Sequence, residues 1–108
     1  MIRILVACPL NAEALEQLNE IPEFEISERP GITPDQLLDE IRGADALVCG
    51  GSPAVSGTAL AAAAGVKLIV DIGVPGGADL EAAQRRRIEV RRVSEDRTVA
   101  VLKDFFNV

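Results

Sequence analysis

The stretch that decides the fold is Lys67–Asp79, KLIVDIGVPGGAD. It opens on an unbroken apolar run, Leu68-Ile69-Val70, which reads as a strand buried on both faces. It breaks into Gly73-Val74-Pro75-Gly76-Gly77 and ends on Asp79, a good N-cap for a following helix. Strand, glycine-rich loop and helix start in direct succession belong to a parallel α/β sheet, and ligands of such sheets gather outside the carboxyl ends of the strands.

The same alternation extends in both directions. Ile2–Ala7 is a continuous apolar strand, and Asn11 caps a helix over Ala12–Asn19. Glu23–Glu28 alternates charge with Phe24 and Ile26, as a half-exposed edge strand does. Thr33-Pro34-Asp35-Gln36 is a capping box with Pro at the first helical position, and Leu37, Leu38 and Ile41 form the apolar stripe behind it. Asp45–Cys49 is a third strand, followed by the loop Gly50–Val55 and an Ala-rich helix over Gly57–Ala64 that Ser56 caps. Val66–Ile72 is strand four, Leu80–Arg86 a helix, and Ile88–Val93 an amphipathic strand five. Ser94 is the expected cap of a last helix whose stripe is Val99, Leu102 and Phe106.

Five strands alternating with five helices predict one domain over residues 1–108, a flavodoxin-like three-layer α/β sandwich with a parallel sheet of order 2-1-3-4-5. Strands two and five are the edges in that order. The loops after strands one, three and four then line one crevice. Backbone N–H groups of Gly51, Ser52, Gly73 and Val74 are the candidate donors there to a small carboxylate or phosphate. The alternative is a pair of turns in which glycine supplies only backbone freedom.

Composition narrows the chemistry. The net charge is −6, and His, Trp and Tyr are absent. A polyanion is repelled and stacking platforms are missing, so nucleic acid is not an expected partner. Without imidazole there is no Ser-His-Asp or Cys-His pair, and no catalytic residue or metal site is assigned. No apolar run is long enough to span a bilayer, and Met1-Ile2-Arg3 leads directly into a strand, so the expected location is cytoplasmic. Cys8 and Cys49 fall at the ends of neighbouring strands; they are either a redox or soft-metal pair or two small inert core residues. Arg85-Arg86-Arg87 reads as a solvated helix end favoured by the dipole.

Taken together, these segments resemble the N-terminal part of the D-2-hydroxyacid dehydrogenases, most closely the D-3-phosphoglycerate dehydrogenases within that family. The residues that carry the resemblance are Ile4-Leu5-Val6-Ala7 with Pro9-Leu10, Glu13-Ala14-Leu15, Arg29-Pro30-Gly31, the Thr33–Leu38 helix start, Gly43–Val48, Val66–Ile69 and Asp79–Ala83 with Arg85-Arg86. The resemblance implies a substrate domain. NAD would bind a separate Rossmann domain, and the catalytic His and Arg would lie later in such a chain, so no cofactor is expected on these residues. Two departures fall on the crevice. Gly50-Gly51-Ser52-Pro53 stands where the family has Arg-Ser-Ala-Thr, and Asp71 stands where it has an Arg. Asp71 in the crevice would repel an anionic substrate. Arg87 occupies a place where a turn glycine is usual.

The leading expectation is a stand-alone or truncated substrate domain without dehydrogenase activity of its own, acting in binding or assembly. The alternatives are a fragment of an NAD-dependent enzyme and a small-anion sensor. The last helix, within residues 94–108, either covers its own sheet or docks on a second copy or a partner enzyme.

Overall fold

A computed structural model describes residues 1–51, 54–73 and 77–108. Its strands are β1 (Ile2–Val6), β2 (Phe24–Glu28), β3 (Ala46–Cys49), β4 (Leu68–Asp71) and β5 (Glu89–Arg92). Its helices are α1 (Ala12–Asn19), α2 (Pro34–Ile41), α3 (Gly57–Ala62), α4 (Leu80–Arg85) and α5 (Thr98–Phe106). The strands form a single sheet of order β2-β1-β3-β4-β5, and each neighbouring pair runs parallel. This is the predicted topology.

Side chains alternate across the sheet and build two cores. Leu5, Leu47 and Ile69 face one side, where Leu37 and Ile41 of α2, Leu60 of α3 and Ala83 of α4 cover them. Ile4, Val6, Ala46, Val48, Leu68 and Val70 face the other side, covered by Leu18 of α1 and by Val101 and Leu102 of α5. Strands β3 and β4 are buried along their whole length, whereas β2 and β5 are exposed at most of their positions. Central and edge strands therefore carry the patterns their positions require.

Four helix starts are built by the expected caps. Asn11, Thr33, Ser56 and Asp79 each accept a hydrogen bond from the backbone N–H three residues on. Thr33 and Gln36 close a full capping box, a motif whose cap is worth about 1 kcal/mol. Ser94 departs from expectation. Its hydroxyl donates to the Asp96 carboxylate and makes no cap to a helix N–H. Residues Glu95–Arg97 wind instead as a 3₁₀ turn that leads into α5.

The last helix covers its own sheet. Val101 and Leu102 are buried against β4, and the Phe106 ring meets Phe24 edge-on at 6.0 Å. No helix among the described residues is long and apolar enough to cross a membrane.

Candidate functional site

The ends of β1, β3 and β4 converge as predicted, and their turns close on one another. The Val55 N–H donates to the Gly77 carbonyl at 2.7 Å, and the Asp79 N–H donates to the Val55 carbonyl at 3.0 Å. These bonds form a short parallel bridge between Val55 and Ala78 that continues the pairing of β3 with β4 beyond the sheet. Gly77 lies so close to the other turn that a Cβ there would stand 2.0 Å from the Gly50 carbonyl oxygen. Gly50 in turn faces Cys8, whose Cβ would be 3.2 Å from a Cβ at position 50. Close backbone approach, with no positive φ among the described glycines here, explains why position 77 needs glycine, while a side chain at position 50 would be tight against Cys8.

Asp71 sits beneath the closed turns. It is 1 % exposed, and its two oxygens are divided between the two ends of its own loop. Oδ1 accepts from the Gly73 N–H at 3.0 Å and Oδ2 from the Ala78 N–H at 3.1 Å. Arg92, its register partner on β5, brings Nε to 3.5 Å from Oδ2, while Nη2 donates to the Ala78 carbonyl at 3.1 Å. The Asp71 charge does not line an open crevice, as the comparison with family patterns suggested. It is turned inward and compensated by a cation from the neighbouring strand and by two N–H groups.

Of the four candidate donors, Ser52 and Val74 lie outside the described residues. Gly51 is exposed, its Cα within 3.5 Å of a Cβ built at Gly77. Gly73 is half-buried, and its N–H points to Asp71. The structure brings Gly51 and Gly73 to the same end of the sheet on adjacent, interlocked turns. Arg92 was missed by the sequence reading, in which it was only a charged position of the amphipathic strand Ile88–Val93. The usable signal was that Asp71 and Arg92 fall at equivalent ends of consecutive strands.

The two cysteines belong to opposite faces of the sheet, Cys49 in one core and Cys8 in the other. Both are buried and reduced. Burial raises the Cys8 thiol to about 11, with the nearby Glu95 and Asp71 carboxylates adding to the effect. Cys49 is pushed up further, first by burial and then by Asp71. Neither has the electropositive surroundings that make a thiol a nucleophile. Elsewhere, a hollow of about 290 Å³ lies beyond β2, where the Arg29 guanidinium is paired with Glu40 at 2.9 Å.

Several known proteins share this architecture. A D-3-phosphoglycerate dehydrogenase of Methanocaldococcus jannaschii is 32% identical over 102 residues, covering 94% of this chain and 19% of that protein. A crystal structure of a Thermus thermophilus protein is 30% identical with a TM-score of 0.73, covering 94% of this chain and 36% of the other. An NAD+-bound 3-phosphoglycerate dehydrogenase of Entamoeba histolytica, 20% identical, shares the fold with a TM-score of 0.69 over 82% of this chain and 32% of its own. The chain thus spans about a fifth of the curated relative and about a third of the solved structures. The family model for the catalytic domain of the D-isomer specific 2-hydroxyacid dehydrogenases matches residues 4–101, and the chain belongs to that family.

Proposed function

We propose that this chain is a substrate-domain scaffold of the D-2-hydroxyacid dehydrogenase type that does not oxidise a hydroxy acid by itself and acts through binding or assembly. The observation that carries this reading is the interlocked pair of turns at the carboxyl end of the sheet. Where a ligand-binding α/β sheet keeps an open crevice with free donors, among the described residues here Val55 pairs with Gly77, and Asp71 takes the Gly73 N–H.

Two features support the reading that the chain binds no nicotinamide cofactor by itself. The chain holds no G-x-G-x-x-G after a strand. In the glycine-rich loop that follows β4, the Gly73 and Ala78 N–H groups are already given to Asp71. Removing the hydroxyl proton of a hydroxy acid also needs a base. There is no His, both thiols are buried and raised, and the Asp71 carboxylate is fully engaged. A small-anion sensor working through Gly51, Ser52, Gly73 and Val74 would have to win the Gly73 donor from Asp71.

Assembly through the last helix would use the fringe that its own sheet leaves half-covered: Val99, Phe105, Phe106 and Val108. The test of the main reading is direct. The purified chain, given NAD+ with D-3-phosphoglycerate or another D-2-hydroxy acid, should form no reduced nicotinamide above the blank. Turnover by the chain alone would overturn the reading.

A further inference from the structure

Charge is divided unevenly along the sheet. Residues 1–54 hold ten acidic and three basic side chains, and residues 55–108 hold seven and eight. The division is sharpest at the amino ends of the strands. There, backbone hydrogen bonds link Glu23 to Ile2, Arg3 to Asp45, Asp45 to Lys67 and Lys67 to Glu89, a row that runs from the β2 corner to the β5 corner. At the β2 corner the turn Glu20-Ile21-Pro22-Glu23 sets two exposed carboxylates around half-buried Ile21 and exposed Pro22. At the β5 corner lies a hollow of about 370 Å³ between α3 and α4, lined by Leu60, Ala63, Val66 and Ile88 and by the cations Arg85 and Arg86. Lys67 and Arg87 are exposed next to it in sequence. Arg85 is held by Glu81 at 3.1 Å. Among the described residues Glu20, Glu23, Lys67, Arg86 and Arg87 enter no ion pair. Five strands spaced by roughly 4.8 Å put the two corners roughly 19 Å apart, about twice the Debye length at physiological salt. Neither corner therefore neutralises the other within one copy. The corners match in form as well as in sign, since an apolar pair between carboxylates faces an apolar hollow between cations.

We infer that two copies of this chain pair through the amino ends of their sheets, with the turn 20–23 of each seated on the α3–α4 hollow of the other. Both corners lie at the same end of the strands. A two-fold axis perpendicular to the line joining them makes both contacts at once and closes the assembly at two copies. Each copy carries −6, so this local pairing works against mutual repulsion and the dimer exchanges readily. The inference names a partner for the assembly part of the scaffold reading, on which it rests, and leaves the carboxyl ends of the strands uncovered.

The experiment is sedimentation in low salt. The native chain should show a mass that rises with concentration toward that of two chains and no further. Glu20→Lys with Glu23→Lys makes both corners basic, and Lys67→Glu with Arg86→Glu makes both acidic. Each double variant alone should stay monomeric where the native chain pairs, and an equimolar mixture of the two should restore pairing. Glu13→Lys with Asp35→Lys, in the first turns of α1 and α2 at the opposite end, carries the same net charge as the first variant and should pair as the native chain does. A native chain that stays monomeric up to about 1 mM would overturn the inference. So would charge-reversed corners that pair as the native chain does, a mixture or a control that stays monomeric, or masses beyond two chains. If a variant does not fold, the amide resonances of the native chain on dilution decide. Changes centred on turns 20–23, 64–67 and 85–88 support the inference, and changes elsewhere alone overturn it. Turnover of a hydroxy acid would refute the scaffold reading and leave these masses as they are, so the two can fail separately.

Discussion

Helix α4 is bracketed by two turns built on opposite principles. The turn before it, between β4 and α4, is held by a side chain: Asp71 satisfies N–H groups at both ends of the loop, and Gly77 is demanded by contact with the Gly50 carbonyl. The turn after it is held by backbone alone. The Arg87 N–H donates to the Gln84 carbonyl at 3.1 Å and the Ile88 N–H to the Ala83 carbonyl at 3.0 Å, a Schellman motif sealed by the buried pair Ala83 and Ile88. Its left-handed position, usually given to glycine, is Arg87 with φ 59°. On either side of α4, glycine thus appears where space requires it and is missing where only backbone freedom does; Gly31, with φ 79° and open space around it, is the opposite case elsewhere in the chain. Steric exclusion by a backbone atom is not negotiable, while a left-handed Arg is strained but possible.

The largest effect tests the first half of that contrast. Gly77→Ala should destabilise by about 3 kcal/mol in urea unfolding, because its Cβ must displace the backbone of the facing turn. A loss no larger than that of an exposed loop substitution would show that the two turns are not interlocked. Next comes Asp71→Asn, which keeps one acceptor but turns an amide NH₂ toward a donor. We expect a loss of about 2 kcal/mol, measured in the same way. Arg87→Gly should have the opposite sign, a gain of about 0.5–1 kcal/mol as the left-handed strain is relieved and partly offset by glycine's greater unfolded-state entropy. A destabilised Arg87→Gly would mean that this guanidinium does more than tolerate its backbone.

The smallest effect sharpens the contrast kinetically. Cys8 lies under Gly50, so its alkylation reports opening of the turns before α4. With its pKa near 11 the thiol is protonated at neutral pH, and reaction should be slow and should accelerate as pH rises toward that value and thiolate forms. Asp71→Asn should speed alkylation at fixed pH, whereas Arg87→Gly should leave it unchanged.

How much of this was legible follows from the range of each interaction. The caps Asn11, Thr33, Ser56 and Asp79 act over three residues and could be read directly. Strand order followed from which strands were continuously apolar. Ser94 misled because its hydroxyl found the Asp96 carboxylate before any helical N–H. Asp71 was legible as a departure but not as a structural carboxylate. Its surroundings combine its own loop with a residue 21 positions on, and only the parallel register of β4 with β5 aligns Asp71 with Arg92. Gly77 carried no signal of its own, since the atom it avoids belongs to Gly50.

One contact bears on the order of events during folding. The Asn11 N–H donates to the Glu95 carboxylate at 2.7 Å, across a separation of 84 residues. Helix α1 begins at Ala12 with its own Asn11 cap, but this acceptor at its entrance is synthesised much later. At ribosomal speeds of about 5–20 residues per second, Glu95 follows Asn11 by about 4–17 s. For that interval the N-terminal end of α1 has only water or a provisional partner for this N–H, and the face later covered by α5 stands open. An element made early is therefore among the last to be completed, gaining its entrance acceptor and the cover of its inner face only when Glu95 and α5 arrive.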